Sequence, residues 1–369
     1  MNRLKQLHDA GQSIWLDYID RAMLHTGDLE RLIRDDALTG MTSNPTIFEK
    51  ALAEGSAYDD QLATLTSDAS AFDAGAAFEA IETEDVRTAC DLFRGTYDIT
   101  GGADGFVSIE VSPTLANDTA GTVTEAQRLW RRVNRPNVMV KVPGTTAGAP
   151  AIRTLISQGI NVNVTLLFSL EAHARVIDAY VEGIADRATA GQPVSGIASV
   201  ASFFVSRVDS EVDKRLDAKG PSAARVKGKA AIANAKLAYS LFKERFAGAQ
   251  WESLARLGAR VQRPLWASTS TKNPAYRDVM YVEQLIGPDT VNTMPPATMD
   301  AFRDHGVVAR TVDADVEGAR RAIADIEAAG ISMRDVTDKL LTDGIASFQK
   351  SFETLLAGLA RKTHALAAR

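Results

Sequence analysis

A chain of 369 residues with 45% hydrophobic and 24% charged side chains has the make-up of an ordinary globular protein and is long for a single domain. Its 47 acidic against 41 basic residues leave a formal charge of −6, which argues against a general nucleic-acid partner, since that binding needs a basic face. A single cysteine rules out an internal disulfide, and neither a signal-peptide stretch nor an apolar run of about 18 residues is present, so no membrane span is expected and the cytoplasm is the default.

Taken in chain order, short apolar runs keep ending on polar residues. The run 13–16 ends on Asp17, and 38–42 leads into Ser43, Asn44 and Pro45. Two helical segments follow, 46–65 and 71–94; Cys90 lies in the second and reads as a core residue, with no metal-ligand neighbours. The run 106–109 meets Glu110, and 138–140 meets Lys141, followed by Val142, Pro143 and Gly144. The segment 160–168 carries polar side chains at alternate positions, Asn161, Asn163 and Thr165. A strand over 194–200 is followed by Ser202 and Arg207. A further helix pair fills 203–263, its second member starting on Pro221 and ending near Gly248.

In that connection Lys214, Arg215, Lys219, Arg225, Lys227 and Lys229 alternate with Asp209, Glu211, Asp213 and Asp217, which reads as a solvated helical face. The run 264–267 opens into Ser268, Thr269, Ser270, Thr271 and Lys272, and 290–294 stops at Pro295 and Pro296. Beyond it, 315–328 and 334–360 are amphipathic helices; Val336, Leu340, Leu341, Ile345, Phe348, Phe352, Leu355 and Leu356 recur at helical spacing and should pack on the body of the protein.

Eight strands separated mostly by helix-length stretches predict a parallel sheet closed as a (β/α)8 barrel, with additional helices at the C-terminus and in the second-to-third and sixth-to-seventh strand connections. A doubly wound sheet is the competing architecture, but no glycine-rich first turn supports it. With no flexible linker, repeat or low-complexity segment, residues 1–369 read as one domain.

Lys141 is the most informative residue. Lysine is almost never fully buried without a partner, yet here it ends a β-branched strand at the sheet edge where barrels place their chemistry. Partial desolvation favours the neutral amine, a nucleophile able to condense with a carbonyl. A strand-end lysine reaching for solvent is the plain reading of that residue by itself. Asp17, Asn44, Glu110, Asn163 and Thr165, expected at the same barrel mouth, favour the chemical one.

The segments Trp15-Leu16-Asp17, Thr42-Ser43-Asn44-Pro45-Thr46-Ile47-Phe48, Val140-Lys141-Val142-Pro143 and Asn161-Val162-Asn163-Val164-Thr165-Leu166-Leu167-Phe168 resemble, in order, the signatures of the transaldolase family, over about residues 10–300. Length and the 265–269 strand resemble the longer bacterial members. The resemblance implies that Lys141 forms the Schiff base and Asp17 moves the C4 hydroxyl proton. It gives Glu110 and Thr165 the water of imine formation, and Asn44 and Asn163 the substrate hydroxyls. Taken singly, Asp17 and the asparagines would also serve as helix or turn caps and Glu110 as an ion-pair partner.

Ser202 to Arg207 resembles the family's phosphate-binding segment, with Phe203 and Ser206 standing where the family has proline and glycine. Arg207 would bind phosphate; its plain alternative is an ion pair with Asp209 or Glu211. Ser268 and Lys272 are candidates for the second phosphate contact, in place of the arginine the family often carries there. No metal or organic cofactor is implied, and the five histidines (8, 25, 173, 305, 364) are scattered. The implied activity is a transaldolase acting on small sugar phosphates, as monomer or homodimer. An aldolase of the fructose-6-phosphate type, releasing free dihydroxyacetone, or a non-catalytic sugar-phosphate-binding barrel are the alternatives.

Overall fold

The computed structural model describes residues 2–53, 56–65, 72–220 and 225–367. Eight parallel strands close into a barrel in chain order. They are β1 (Gln12–Asp17), β2 (Leu38–Thr42), β3 (Phe106–Glu110), β4 (Val138–Pro143), β5 (Val162–Leu167), β6 (Ser199–Phe204), β7 (Gln262–Ala267) and β8 (Thr290–Met294). Helices alternate with the strands, so the chain forms the expected (β/α)8 barrel. The β2–β3 connection carries Pro45–Ala53, Asp59–Leu65, Ala74–Leu92 and Arg94–Ile99; the β6–β7 connection carries Ser206–Asp217, Ala230–Arg245 and Ala249–Arg256. After the barrel come Pro296–His305, Val316–Ala328 and the 35-residue helix Met333–Ala367.

The register explains why the strand ends form a site. Glu110 on β3 lies beside Lys141 on β4, which lies beside Asn163 on β5. Side chains two apart on a strand share a face, so Ser13, Trp15 and Asp17 of β1 stack along the barrel from its N-terminal to its C-terminal end. Trp15 is fully buried and fills the middle level. It does so only because residue 40 is glycine, where an added Cβ would lie 2.5 Å from the indole.

Four expectations about elements need correction or completion. The sixth strand is Ser199–Phe204, not 194–200. Pro193 and Gly196 punctuate the preceding segment, and Ile197 donates its amide to the Val194 carbonyl (3.2 Å) in a turn whose apolar side chains are buried without being a strand. Ser202 therefore sits inside β6 and points into the barrel. The helix expected over 46–65 is two helices. The Pro221 start lies outside the described residues, and the helix there begins at Ala230; Ala71, expected to open another helix, also lies outside them, and that helix begins at Ala74. The basic stretch is only partly a solvated face. Lys227 pairs with Asp217 (2.7 Å) and Arg215 with Glu211 (2.7 Å), but Asp209 and Asp213 are buried. Asp209 accepts from the Ala231 amide (2.8 Å) and the Tyr281 hydroxyl (2.9 Å); Asp213 accepts from the Gly228 amide (3.0 Å) and the Tyr276 hydroxyl (2.6 Å). Cys90 is buried, as read, and burial pushes its thiol up.

Candidate active site

At the C-terminal ends of the strands a cleft of about 560 Å³ opens. Of the ten residues singled out in the sequence, Asp17, Asn44, Lys141, Thr165, Ser202, Arg207, Ser268 and Lys272 line it. Glu110 and Asn163 are not part of that lining; they touch residues that are.

Lys141 is 5% exposed. Its Nζ donates to the Ser43 carbonyl (2.9 Å) and lies 3.0 Å from Glu110 Oε2. A lysine held this way has a fixed amine, with its stem packed in the barrel. Burial pushes the Glu110 carboxyl up, and the Lys141 charge pulls it back. Asp17, at the end of β1, shows the same balance. Burial raises it, against the Lys141 charge, a hydrogen bond from Thr42 Oγ1 (2.9 Å) and the charges of Arg207 and Lys272. Thr42 has one hydroxyl proton and gives it to Asp17, so the 2.8 Å contact between Thr42 and Thr293 has Thr293 donating. A carboxyl that burial pushes up holds a proton more readily than a free one, which suits it to take a proton and to return it.

Asn163 is locked from both sides. Its Nδ2 donates to Ser108 Oγ (2.9 Å) and its Oδ1 accepts from Ser202 Oγ (2.7 Å). The Ser202 hydroxyl proton is thus spent on orienting Asn163. Thr165, one pleat further along β5, is fully buried, and its Oγ1 has no hydrogen-bond partner among the described residues. Asn44 does cap a helix, accepting from the Ile47 amide (3.0 Å), and the donor end of its side chain is left for the cleft.

The cations lie on the other wall. Arg207 follows β6, its guanidinium 5.1 Å from the centre of the Phe204 ring. It makes no ion pair among the described residues: Asp209 and Glu211, its expected alternatives, are taken by other partners. Burial pushes Arg207 down and the Asp17 charge opposes this. Ser268 ends β7 in the left-handed region (φ 57°) and shares a 2.9 Å hydroxyl contact with Ser206. Lys272 Nζ donates to Ser270 Oγ (2.7 Å); burial lowers it, and the Arg207 charge adds to that.

Several contributors were not singled out from the sequence. Ser108 could have been found, because it stands two residues from Glu110 on the same strand face, and Thr42 opens the segment Thr42-Ser43-Asn44-Pro45 already in view. Lys50 and Phe348 also line the cleft, and no local pattern marks them. Among the described residues no three or more His, Cys, Asp or Glu side chains converge as a metal site, and no helix is long and apolar enough to cross a membrane.

Comparison with known proteins agrees with this geometry. The model of the family described as Transaldolase/Fructose-6-phosphate aldolase matches residues 14–359. The transaldolase of Frankia alni is 49% identical over 363 residues, spanning 98% of this chain and 97% of its own. That of Thermobifida fusca is 49% identical over 361 residues (97% and 98%), and transaldolase 2 of a Nostoc species is 44% identical over 378 (99% of each).

Proposed function

The chain belongs to the transaldolase/fructose-6-phosphate aldolase family, and on that premise we propose how its strand-end side chains carry the reaction. The enzyme moves a dihydroxyacetone unit from sedoheptulose 7-phosphate to glyceraldehyde 3-phosphate, giving erythrose 4-phosphate and fructose 6-phosphate in the pentose phosphate pathway. The observation that carries the site assignment is Lys141, a lysine buried at a strand end between the Ser43 carbonyl and the Glu110 carboxyl and facing an open cleft.

The Lys141 amine adds to the ketose carbonyl at C2, and loss of water leaves an iminium that serves as electron sink. Glu110 and Thr165 hold and activate that water; the unpartnered Thr165 hydroxyl supports this reading. Asp17 takes the C4 hydroxyl proton as the C3–C4 bond breaks, and the electron pair moves into the iminium. The aldose phosphate leaves and the three-carbon enamine stays on Lys141. Asn44 and Asn163 hold its hydroxyls. When an acceptor aldehyde arrives, its carbonyl oxygen takes the proton back from Asp17, and water frees the new ketose. Arg207 binds the phosphate with a fork suited to it; Ser268 and Lys272 complete that pocket. The reading carries with it one domain over 1–369, a cytoplasmic location and activity as monomer or homodimer.

Borohydride tests the assignment. Treated with fructose 6-phosphate and borohydride, the protein should lose activity and gain one reduced three-carbon adduct, mapped by mass spectrometry to Lys141. Lys141→Arg should abolish labelling and turnover, because a guanidinium stays charged and forms no imine. An adduct on another lysine overturns the site; turnover with no trappable adduct overturns the mechanism.

A further inference from the structure

The helix Met333–Ala367 runs across the barrel mouth, packing against the helices that follow β2 and β6, the short turn that follows β3, and β5 itself. Three observations fix where it crosses. At Gly344 an added Cβ would lie 3.0 Å from Leu166 Cδ2 and 3.7 Å from an Arg207 guanidinium nitrogen, so the missing side chain is what allows the helix so close. Thr46 Oγ1 donates to Ser351 Oγ (2.9 Å), and Gln349 Nε2 donates to the Pro113 carbonyl (3.3 Å). Gly344, Phe348 and Ser351 lie four and three residues apart, on one helical face. Between the two outer contacts, Phe348 is 5% exposed and is the single residue of this helix, among those described, that lines the cleft with Lys141 and Thr165.

The transaldolase reading creates a problem that an apolar residue at this place solves. After the first aldose leaves, the enamine on Lys141 must wait for an acceptor aldehyde. If water supplies a proton to its nucleophilic carbon, the enamine becomes an iminium again. A water molecule then adds to the iminium carbon, the carbon–nitrogen bond breaks, and free dihydroxyacetone leaves with the lysine amine restored. No oxidant or further reactant is needed, so only restricted access of water separates transfer from release. The floor of the cleft is polar and one wall is cationic; among its apolar lining residues, which include Ile47, Phe204 and Pro295, Phe348 is the one brought in by the helix that crosses the mouth.

Resting on that reading, we propose that Phe348 is a specificity-determining residue: it shields the three-carbon intermediate from water and so sets the ratio of transfer to release. It touches neither the phosphate pocket nor the Lys141–Glu110 pair by any bond, so its effect falls on the fate of the intermediate.

The test measures both outcomes in one reaction, fructose 6-phosphate as donor and erythrose 4-phosphate as acceptor. Sedoheptulose 7-phosphate reports transfer, and free dihydroxyacetone, read with a glycerol dehydrogenase couple, reports release. Phe348→Ala should raise the release-to-transfer ratio about tenfold or more, while borohydride labelling of Lys141 keeps its wild-type extent. Phe348→Leu, which keeps an apolar body there and guards against a misfolded alanine variant, should stay within about threefold of wild type. An unchanged ratio in a folded Phe348→Ala, or in Phe348→Ser if alanine does not fold, overturns the proposal. A wild-type protein that gives no adduct on Lys141 overturns the underlying reading instead, so the two failures are distinct.

Discussion

Replacing Arg207 by alanine separates what this residue does for folding from what it does for substrate. In the free enzyme Arg207 is half-buried, makes no ion pair among the described residues, and lies near a second cation, Lys272. Its visible gain is stacking on Phe204, worth about 0.5–1 kcal/mol at a site of this kind. Removing it forfeits that stacking but relieves the burial of a charge and the repulsion with Lys272, which act in the opposite direction. The free enzyme should therefore change by no more than about 1 kcal/mol, which for a chain of this length is roughly 1–2 °C in Tm. Phosphorylated substrate loses a charge-assisted contact, about 1.5–3 kcal/mol, or roughly tenfold to 150-fold in kcat/KM. Steady-state kinetics with fructose 6-phosphate and with unphosphorylated fructose measure the second effect, and a thermal melt without ligand measures the first. A comparable fall with both sugars, or a melt lowered by more than about 5 °C, would refute the reasoning, since the residue would then be structural.

Thr165→Val removes a buried hydroxyl that has no partner among the described residues and keeps its shape. It should raise stability by about 1 kcal/mol while slowing imine formation roughly 10–100-fold, read from a melt and from the rate of borohydride labelling; a lower Tm with normal labelling would count against it. His173 is fully buried with both ring nitrogens unpartnered among the described residues, and burial pushes it down to about 4. The unfolded chain binds that proton below about 6.5 and the native protein only below about 4, so the histidine costs stability as pH falls through this window. Asp209, pushed up to about 6, acts in the opposite sense, its burden growing as pH rises from about 4 to 6. That contribution is common to wild type and His173→Leu, so it cancels in their difference. Urea unfolding at pH 7.5 and 4.5 should show the variant gaining about 2–3 kcal/mol on wild type at the lower pH; a difference independent of pH would mean the ring finds a partner for its proton.

The barrel was legible because its strands announce themselves twice, by β-branched runs and by the polar residue at each end. The sixth strand was misplaced for the same reason in reverse. Val194, Ile197 and Ala198 are as buried as strand residues, while Ser199–Phe204 begins on a polar residue, so local hydrophobicity placed the strand's start five residues too early. The convergence of Lys141, Asp17 and Glu110 at one barrel mouth could be read from residue type and strand position. What could not be read were contacts set by distant chain. Asp209 looked like one of several surface acids until the Ala231 amide and Tyr281 hydroxyl closed on it. Phe348 looked like any apolar position of an amphipathic helix, because whether it faces core or cleft depends on where that helix crosses strands far back in the chain.

Along β1 the polar groups around Asp104 and those around Asp17 are met differently, although Gln12 Oε1 and Gln262 Oε1 at the N-terminal end are also buried without a partner among the described residues. At the N-terminal end Asp104 accepts from the Ser13 hydroxyl, from Trp15 Nε1 (2.9 Å) and from the Gly105 amide (3.0 Å), while Arg263 donates to Ser13 Oγ (2.6 Å) and the Thr290 carbonyl (2.7 Å). These groups satisfy one another, although Ser13, Trp15, Asp104 and Arg263 also line a cavity of about 480 Å³. Two pleats further along β1, burial pushes the Asp17 carboxyl up, Thr165 lacks a partner and Arg207 an anion among the described residues, and Leu166 and Ser268 take left-handed conformations (φ 60° and 57°) just where β5 and β7 end. Each such feature costs folding free energy, on the order of 1–3 kcal/mol for a strained residue or an unmet hydrogen bond. Around Lys141, on the reading proposed above, a sugar phosphate completes what the protein leaves open. Trp15, bonded to Asp104 and packed over Gly40, anchors β1 on the strand face that carries Asp17 one pleat further on.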